Sequence, residues 1–194
     1  MANITSTAKQ CYKGTSTVTT SSVGYYNSSN YVVRFTFKTD ANGASSVSWS
    51  LPNNYGTFNG SISASSTGTQ PPLRWHIGTN ASSHINAGSS TTTYSGNVTA
   101  KLSGGVYTLS GSKSMVLQPN TTYYLWIYPN TTTAGYYNLT ANQQATVTTS
   151  GAAGLVYIDN GSKFEAYQVY IDNGSSWDLY MPYIDNGSSW DSCG

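Results

Sequence analysis

Between residues 31 and 148 the chain falls into short β-type runs, and no window carries the sustained 3.6-residue apolar stripe of an amphipathic helix. The clearest runs are 31–37, 46–51, 73–77, 97–102, 106–109, 123–128, 136–140 and 145–148, separated by clusters of Gly, Asn, Ser and Pro. Several short strands at this spacing predict an all-β domain, a sandwich, jelly roll or barrel.

The pattern changes after Ser150-Gly-Ala-Ala-Gly154, where one 13-residue sentence is repeated. The copies are Tyr157-Ile-Asp-Asn-Gly-Ser-Lys-Phe-Glu-Ala-Tyr-Gln-Val169, Tyr170-Ile-Asp-Asn-Gly-Ser-Ser-Trp-Asp-Leu-Tyr-Met-Pro182 and Tyr183-Ile-Asp-Asn-Gly-Ser-Ser-Trp-Asp-Ser-Cys-Gly194. A fixed period means one structural unit reused. Asn-Gly accepts positive φ at both centres of a tight type I′ turn, and β-formers flank it, so each unit reads as a hairpin. Strands are expected around 163–171 and 176–184, with turns at Asp159–Gly161, Asp172–Gly174 and Asp185–Gly187, each centred on Gly161, Gly174 or Gly187. A simple meander would put Asp159 and Asp185 at one end and Asp172 at the other. Isolated hairpins are marginal. The repeated aromatics Tyr157, Phe164, Tyr170, Trp177, Tyr183 and Trp190 therefore mark residues 151–194 as an assembly element that packs on another subunit, following a β-sandwich body over residues 1–150.

Composition sharpens this division. Charged residues are 8% of the chain, where about a quarter is usual, while Ser and Thr together number 56. The 17 Tyr and 5 Trp argue against disorder. Residues 1–150 hold seven basic side chains (Lys9, Lys13, Arg34, Lys38, Arg74, Lys101, Lys113) against one acid, Asp40, a net of +6. Residues 151–194 hold six acids against Lys163, a net of −5, so attraction can hold the tail to a body. The N-terminal stretch has no apolar signal core, and no apolar run approaches the ~20 residues of a spanning helix. A hydroxyl-rich surface made without a signal fits assembly in a host cytoplasm and release by lysis.

The stretch Gly154-Leu-Val-Tyr-Ile-Asp-Asn-Gly-Ser-Lys-Phe-Glu-Ala-Tyr-Gln168, with the Tyr-Ile-Asp-Asn-Gly-Ser-Ser-Trp-Asp copies after it, resembles the C-terminal repeat of small structural proteins encoded among the tail genes of bacteriophages of gut Gram-positive bacteria. That resemblance covers about the last 40 residues. It implies a non-enzymatic virion component, at a tail tip, fibre or surface appendage, whose partners are other virion proteins and further copies of itself, with host attachment as its task. A looser similarity links the repeats to aromatic cell-wall-binding repeats. In the body, Leu117-Gln-Pro119-Asn-Thr121-Thr-Tyr123 resembles the Leu-x-Pro-x-Thr-x-Tyr phrase of fibronectin-type sandwiches, which implies that Tyr123 bonds nearby backbone at an inter-sheet crossing. About 115 residues precede that phrase, more than a fibronectin-type domain holds, so a larger jelly-roll-like sandwich is expected.

Catalytic chemistry finds little support. Paired-carboxylate glycoside hydrolysis needs two acids within about 10 Å, and the body has one. His76 and His84 lack the further ligands of a zinc site. No Gly-x-Ser-x-Gly elbow and no phosphate loop occur, so no cofactor or metal is expected. The cations are too scattered for nucleic acid, and no membrane insertion is expected. Cys11 and Cys193 are read as free thiols. Glycan recognition is the alternative function: Tyr and Trp faces stack on sugars while amides and hydroxyls bond to them. The candidate contacts are Tyr25, Tyr26, Tyr55 and Trp75, with the surface loop around Asn53-Asn54.

Overall fold

The computed structural model describes residues 2–58, 72–82, 95–132 and 134–151, and within the repeats residues 155–159, 161, 164–172, 174–175, 177–180, 183–185 and 190–192. The body strands are β1 (Ala2–Thr5), β2 (Ala8–Lys13), β3 (Ser16–Val18), β4 (Ser22–Tyr26), β5 (Ser29–Lys38), β6 (Ala44–Phe58) and β7 (Leu73–Gly78). They continue as β8 (Gly96–Asn97), β9 (Thr99–Ser103), β10 (Val106–Leu117), β11 (Thr122–Pro129), β12 (Gly135–Asn138) and β13 (Thr146–Ser150). No helix occurs among the described residues, and the protein is all-β.

All 13 strands belong to one antiparallel sheet, ordered β1-β13-β6-β12-β4-β5-β11-β7-β8, with β10 and β9 joined on beside β6, and β2 and β3 beside β5. The sheet curls because β6 serves both of its halves. Residues Ala44–Leu51 pair with β10, and Ser46–Ser50 also pair with β13, whereas Tyr55–Phe58 pair with β12. The change of direction is a bulge: Leu51 faces Leu109 and Asn54 faces Tyr107, so β6 spends one residue more than β10. Pro52 has no N–H to lose there, and Asn53 takes φ +62°. Buried Asn54 closes the bulge, its Nδ2 donating to the carbonyls of Leu51 (2.5 Å) and Tyr107 (3.0 Å). This segment, read from sequence as a surface loop, is thus the corner of the fold.

The two halves share one core. Val47, Trp49, Leu109 and Val147 come from the β1-β13-β6-β10-β9 half, and Phe35, Trp75, Leu125 and Ile127 from the other. Each such side chain contributes about 1.5–3 kcal/mol by leaving water. Trp49 and Trp75 meet edge to face, ring centroids 6.0 Å apart at 74°. Gly111 lies opposite Trp49, and a Cβ there would stand 2.4 Å from Trp75 Nε1 and 2.7 Å from Trp49 Nε1, so glycine is what lets the indoles meet.

Each expected body run lies on a strand, but β1 to β4 were not expected. Ala2–Thr5 and Ser16–Val18 each carry a single large apolar side chain, so their pairing with β13 and β2 rests on tertiary partners rather than on pattern. Two-residue turns with positive φ at both centres join β4 to β5 (Asn27 +47°, Ser28 +56°) and β9 to β10 (Gly104 +58°, Gly105 +81°).

The outer face of the β1-β13-β6-β10-β9 half is a field of hydroxyls. One in-register row runs Thr5, Thr146, Ser50, Ser110, Thr99 across all five strands. The next runs Asn3, Thr148, Ser48, Ser112, and a third Ser150, Ser46, Ser114. All are exposed or half-buried.

In the repeats, β14 (Leu155–Asp159), β15 (Phe164–Asp172) and β16 (Trp177–Tyr180) form a three-stranded meander, and β17 (Tyr183–Asp185) pairs with β18 (Trp190–Ser192) separately. Every copy has the same register: Asp159 opposite Phe164, Asp172 opposite Trp177, Asp185 opposite Trp190. Four residues lie between each pair, so the connection is longer than the two-residue type I′ turn expected; Gly161 and Gly174 do take positive φ, +87° and +86°. Gly187 lies outside the described residues. Asp159 and Asp172 fall at opposite ends of β15, as a meander requires, but the strand expected over 176–184 is divided between β16 and β17.

Candidate functional site

Four strands of the second half, β6-β12-β4-β5, carry a tyrosine face. Tyr136 stands at its centre, in register with Thr57 on one side and Gly24 on the other, and Gly24 in turn faces Tyr31. The Tyr136 ring packs against Tyr26 (centroids 5.2 Å apart) and Tyr31 (6.4 Å). Gly24 makes this possible: at φ +143°, a Cβ would lie 2.4 Å from the carbonyl oxygen of Gly135 and 2.6 Å from Tyr136 Cα. Strand alternation brings Asn138 onto the same face, opposite Tyr55. Asn138 is held at both ends of its amide, accepting from Ser22 Oγ (3.1 Å) and donating to Thr57 Oγ1 (3.2 Å). Tyr55 is 60% exposed, the most open large apolar side chain among the described residues.

Of the residues singled out from sequence, Tyr26 and Tyr55 therefore share this face. Tyr25 alternates to the opposite side, half-buried, with Val23. Trp75 is fully buried against Trp49, so its ring has no face to offer a sugar. Tyr31 and Tyr136 were missed because both sit in expected strands, where aromatics usually mean core; only their register with Gly24 reveals them. The repeat residues Tyr157, Phe164, Tyr170, Trp177, Tyr183 and Trp190 all lie on paired strands, at the register positions given above.

On the neighbouring strands a second aromatic cluster is structural. Gln10, Arg34, Trp126 and His76 form one in-register row across β2, β5, β11 and β7. The Arg34 guanidinium carbon sits 5.0 Å from the Tyr124 ring centroid, 5.5 Å from Trp126 and 5.9 Å from Tyr12. Its Nη2 donates to Gln10 Oε1 (2.7 Å) and its Nη1 to the Ala81 carbonyl (2.5 Å). Trp126 and Tyr128 are buried beneath this arrangement.

Asp40, the body's single carboxylate, works in a turn: Oδ1 accepts from the Asn42 N–H, and its carbonyl from Gly43 and Asn120. His84 lies outside the described residues. Cys11 is a buried free thiol whose pKa burial raises, a shift that nearby Lys9 reduces without cancelling; Cys193 lies outside the described residues. No cluster of three or more His, Cys, Asp or Glu placed to hold a metal occurs among the described residues. The arrangement defines a strand-built protein with an aromatic and amide face rather than a charged cleft. Comparison with protein-family models, with curated proteins and with solved structures gives no match for this chain.

Proposed function

We propose that this chain is a non-enzymatic structural protein of a bacteriophage virion, part of a tail tip, fibre or surface appendage, that engages glycan on the host surface. The observation that carries the glycan contact is the tyrosine face: an exposed Tyr55 beside Asn138, backed by the Tyr26, Tyr31 and Tyr136 cluster. Tyrosine rings stack on sugar C–H surfaces, and an amide already oriented by two hydrogen bonds binds hydroxyls at small entropic cost. The use of Asp40 in a turn, with no second carboxylate in residues 1–150, supports binding without hydrolysis.

The virion assignment is supported by the repeat wording and by three hairpins in one register. A two-stranded hairpin such as β17–β18 is marginal alone, and the β14–β16 meander only just reaches the three strands that independent stability needs, so the tail is read as the element that joins subunits, within a particle assembled in the host cytoplasm and freed by lysis. The test is sedimentation of the full chain with purified Gram-positive cell walls. Wild type is expected in the pellet, and Tyr55→Ala and Tyr136→Ala largely in the supernatant; equal pelleting of all three, or release of soluble sugar or peptide by wild type, defeats the reading.

A further inference from the structure

The hydroxyl field on the opposite half is not the surface this composition makes by chance. Its three rows hold twelve positions, of which eleven are Ser or Thr and the twelfth is Asn3. At the chain's frequency of 56 in 194, twelve positions would hold three or four. The outer face of the other half, with Arg34, Trp126, Tyr26, Tyr31 and Tyr136, shows that such faces in this protein are not hydroxyl-lined by default. A groove of about 430 Å³ crosses the field, lined by Ser48, Ser50, Ser110, Ser112, Thr148 and Asn97, with Trp49, 2% exposed, also in its lining.

The chemistry of this groove restricts what fits it. With no charged side chain in its lining it has no strong hold on an anion or a cation, and with Trp49 only 2% exposed it presents no ring to stack on a single sugar. A hydroxyl bonded to a ligand replaces one bonded to water, for a net of only about 0.5–1.5 kcal/mol. Binding must therefore accumulate over many equivalent contacts. In-register strands supply them at ~4.8 Å spacing across the sheet and ~7 Å along it. We infer that this groove binds a neutral, polyhydroxylated polymer chain, a second glycan site distinct from the tyrosine face and free of aromatic contacts. The site extends the proposed function by giving the body two dissimilar faces for one wall.

The full chain is tested for retention on cellulose, on chitin and on Gram-positive wall polysaccharide stripped of its charged teichoic acid. Wild type is expected to be retained on at least one. Replacing Ser48, Ser50, Ser110 and Thr148 together by Val is expected to cut that retention at least tenfold, whereas Ser48→Thr, Ser50→Thr and Ser110→Thr, nearly the same in shape but hydroxyl-bearing, keep it. Tyr55→Ala leaves retention by the groove on the isolated polymer intact while weakening whole-wall binding, which loses one of its two contacts; this separates the two readings. Failure of all three polymers to retain wild type, equal retention of the valine variant, or loss of retention by Tyr55→Ala alone overturns the proposal. So does a valine variant that loses retention only by converting a self-associated wild type to monomer in light scattering, since the hydroxyl face would then be a contact between copies.

Discussion

The hydroxyl of Tyr123 accepts a hydrogen bond from the backbone N–H of Gln118 at 2.8 Å, five residues upstream. Between them lies the turn Pro119-Asn120, with Asn120 at φ +50°, and the Tyr123 ring stacks on Phe37 at 5.9 Å. One side chain thus fixes both the approach to β11 and its seat on β5. Tyr123→Phe keeps the stack and leaves the Gln118 N–H without its acceptor, so a stability loss of roughly 1–3 kcal/mol is expected by denaturant titration. A loss below a few tenths would show that water replaces the phenol freely.

At Gly24 the backbone itself is the constraint. Gly24→Ala places a methyl against the Gly135 carbonyl and forces an L side chain into φ +143°. Strain of roughly 1–3 kcal/mol is expected from the backbone alone, with β4 and β12 pushed apart. Cell-wall sedimentation should weaken in parallel, because Tyr136 and Tyr26 would no longer meet. Normal wall binding by a destabilised variant would separate the tyrosine cluster from recognition.

Gly174 presents the opposite case, since its missing Cβ has open space around it. Only its φ of +86° resists substitution, and a β-branched residue resists it most. Gly174→Val should weaken the β15–β16 hairpin and the self-association assigned to it, while the main melting transition of the body stays in place. Scattering mass and melting profile both identical to wild type would remove the tail from assembly.

Arg34→Lys tests the planar guanidinium. A lysine keeps the charge but cannot reach Gln10 and Ala81 at once, nor lie flat among Tyr12, Tyr124 and Trp126. A loss on the order of 1–2 kcal/mol is expected in thermal unfolding, together with a change in tryptophan emission. An unaltered melting temperature would mean that charge alone suffices.

Alkaline pH should destabilise the body. Burial holds the Cys11 thiol above its ordinary 9.0 and the Tyr137 phenol far above 10.0, so on raising the pH the unfolded chain loses these protons first. The folded state then binds more protons than the unfolded one, and stability falls as pH climbs from about 9. Lys9, lowered by burial from 10.5, contributes with the opposite sign. Denaturation midpoints between pH 8 and 11 should decline, and Cys11→Ala should flatten the first part of that decline. A midpoint constant to pH 11 would contradict the burial of both groups.

Pattern and turn chemistry were enough to read the strand class, the eight central runs and the corner tyrosine, because each is a local signal: β-formers bounded by breakers, or a Pro-x-Thr-x-Tyr phrase. What stayed hidden depends on partners distant in sequence. β1 is a strand because Val147 faces Ile4, and the Asn53-Asn54 corner because Tyr107 lies beside it. The hydroxyl field is invisible to any periodicity scan, since its members come from five strands and only register aligns them. Trp75 misled for the same reason: with alternating polar neighbours it could equally have been surface or core, and Gly111, 36 residues away, decides it.

Ala2 pairs with Thr149, and Thr5 with Thr146. The chain therefore leaves both ends of the body at the same corner, on strands that lie side by side and run in opposite directions. A pull applied between those two exits does not shear the ladder but opens it as a zipper, each rung taking the whole load in turn, beginning with Ala2 and Thr149. Tension carried between the repeats and a distant point on β6 would instead load the rungs of β13 together. The same body would thus be a weak link or a strong one depending on where a neighbour takes hold.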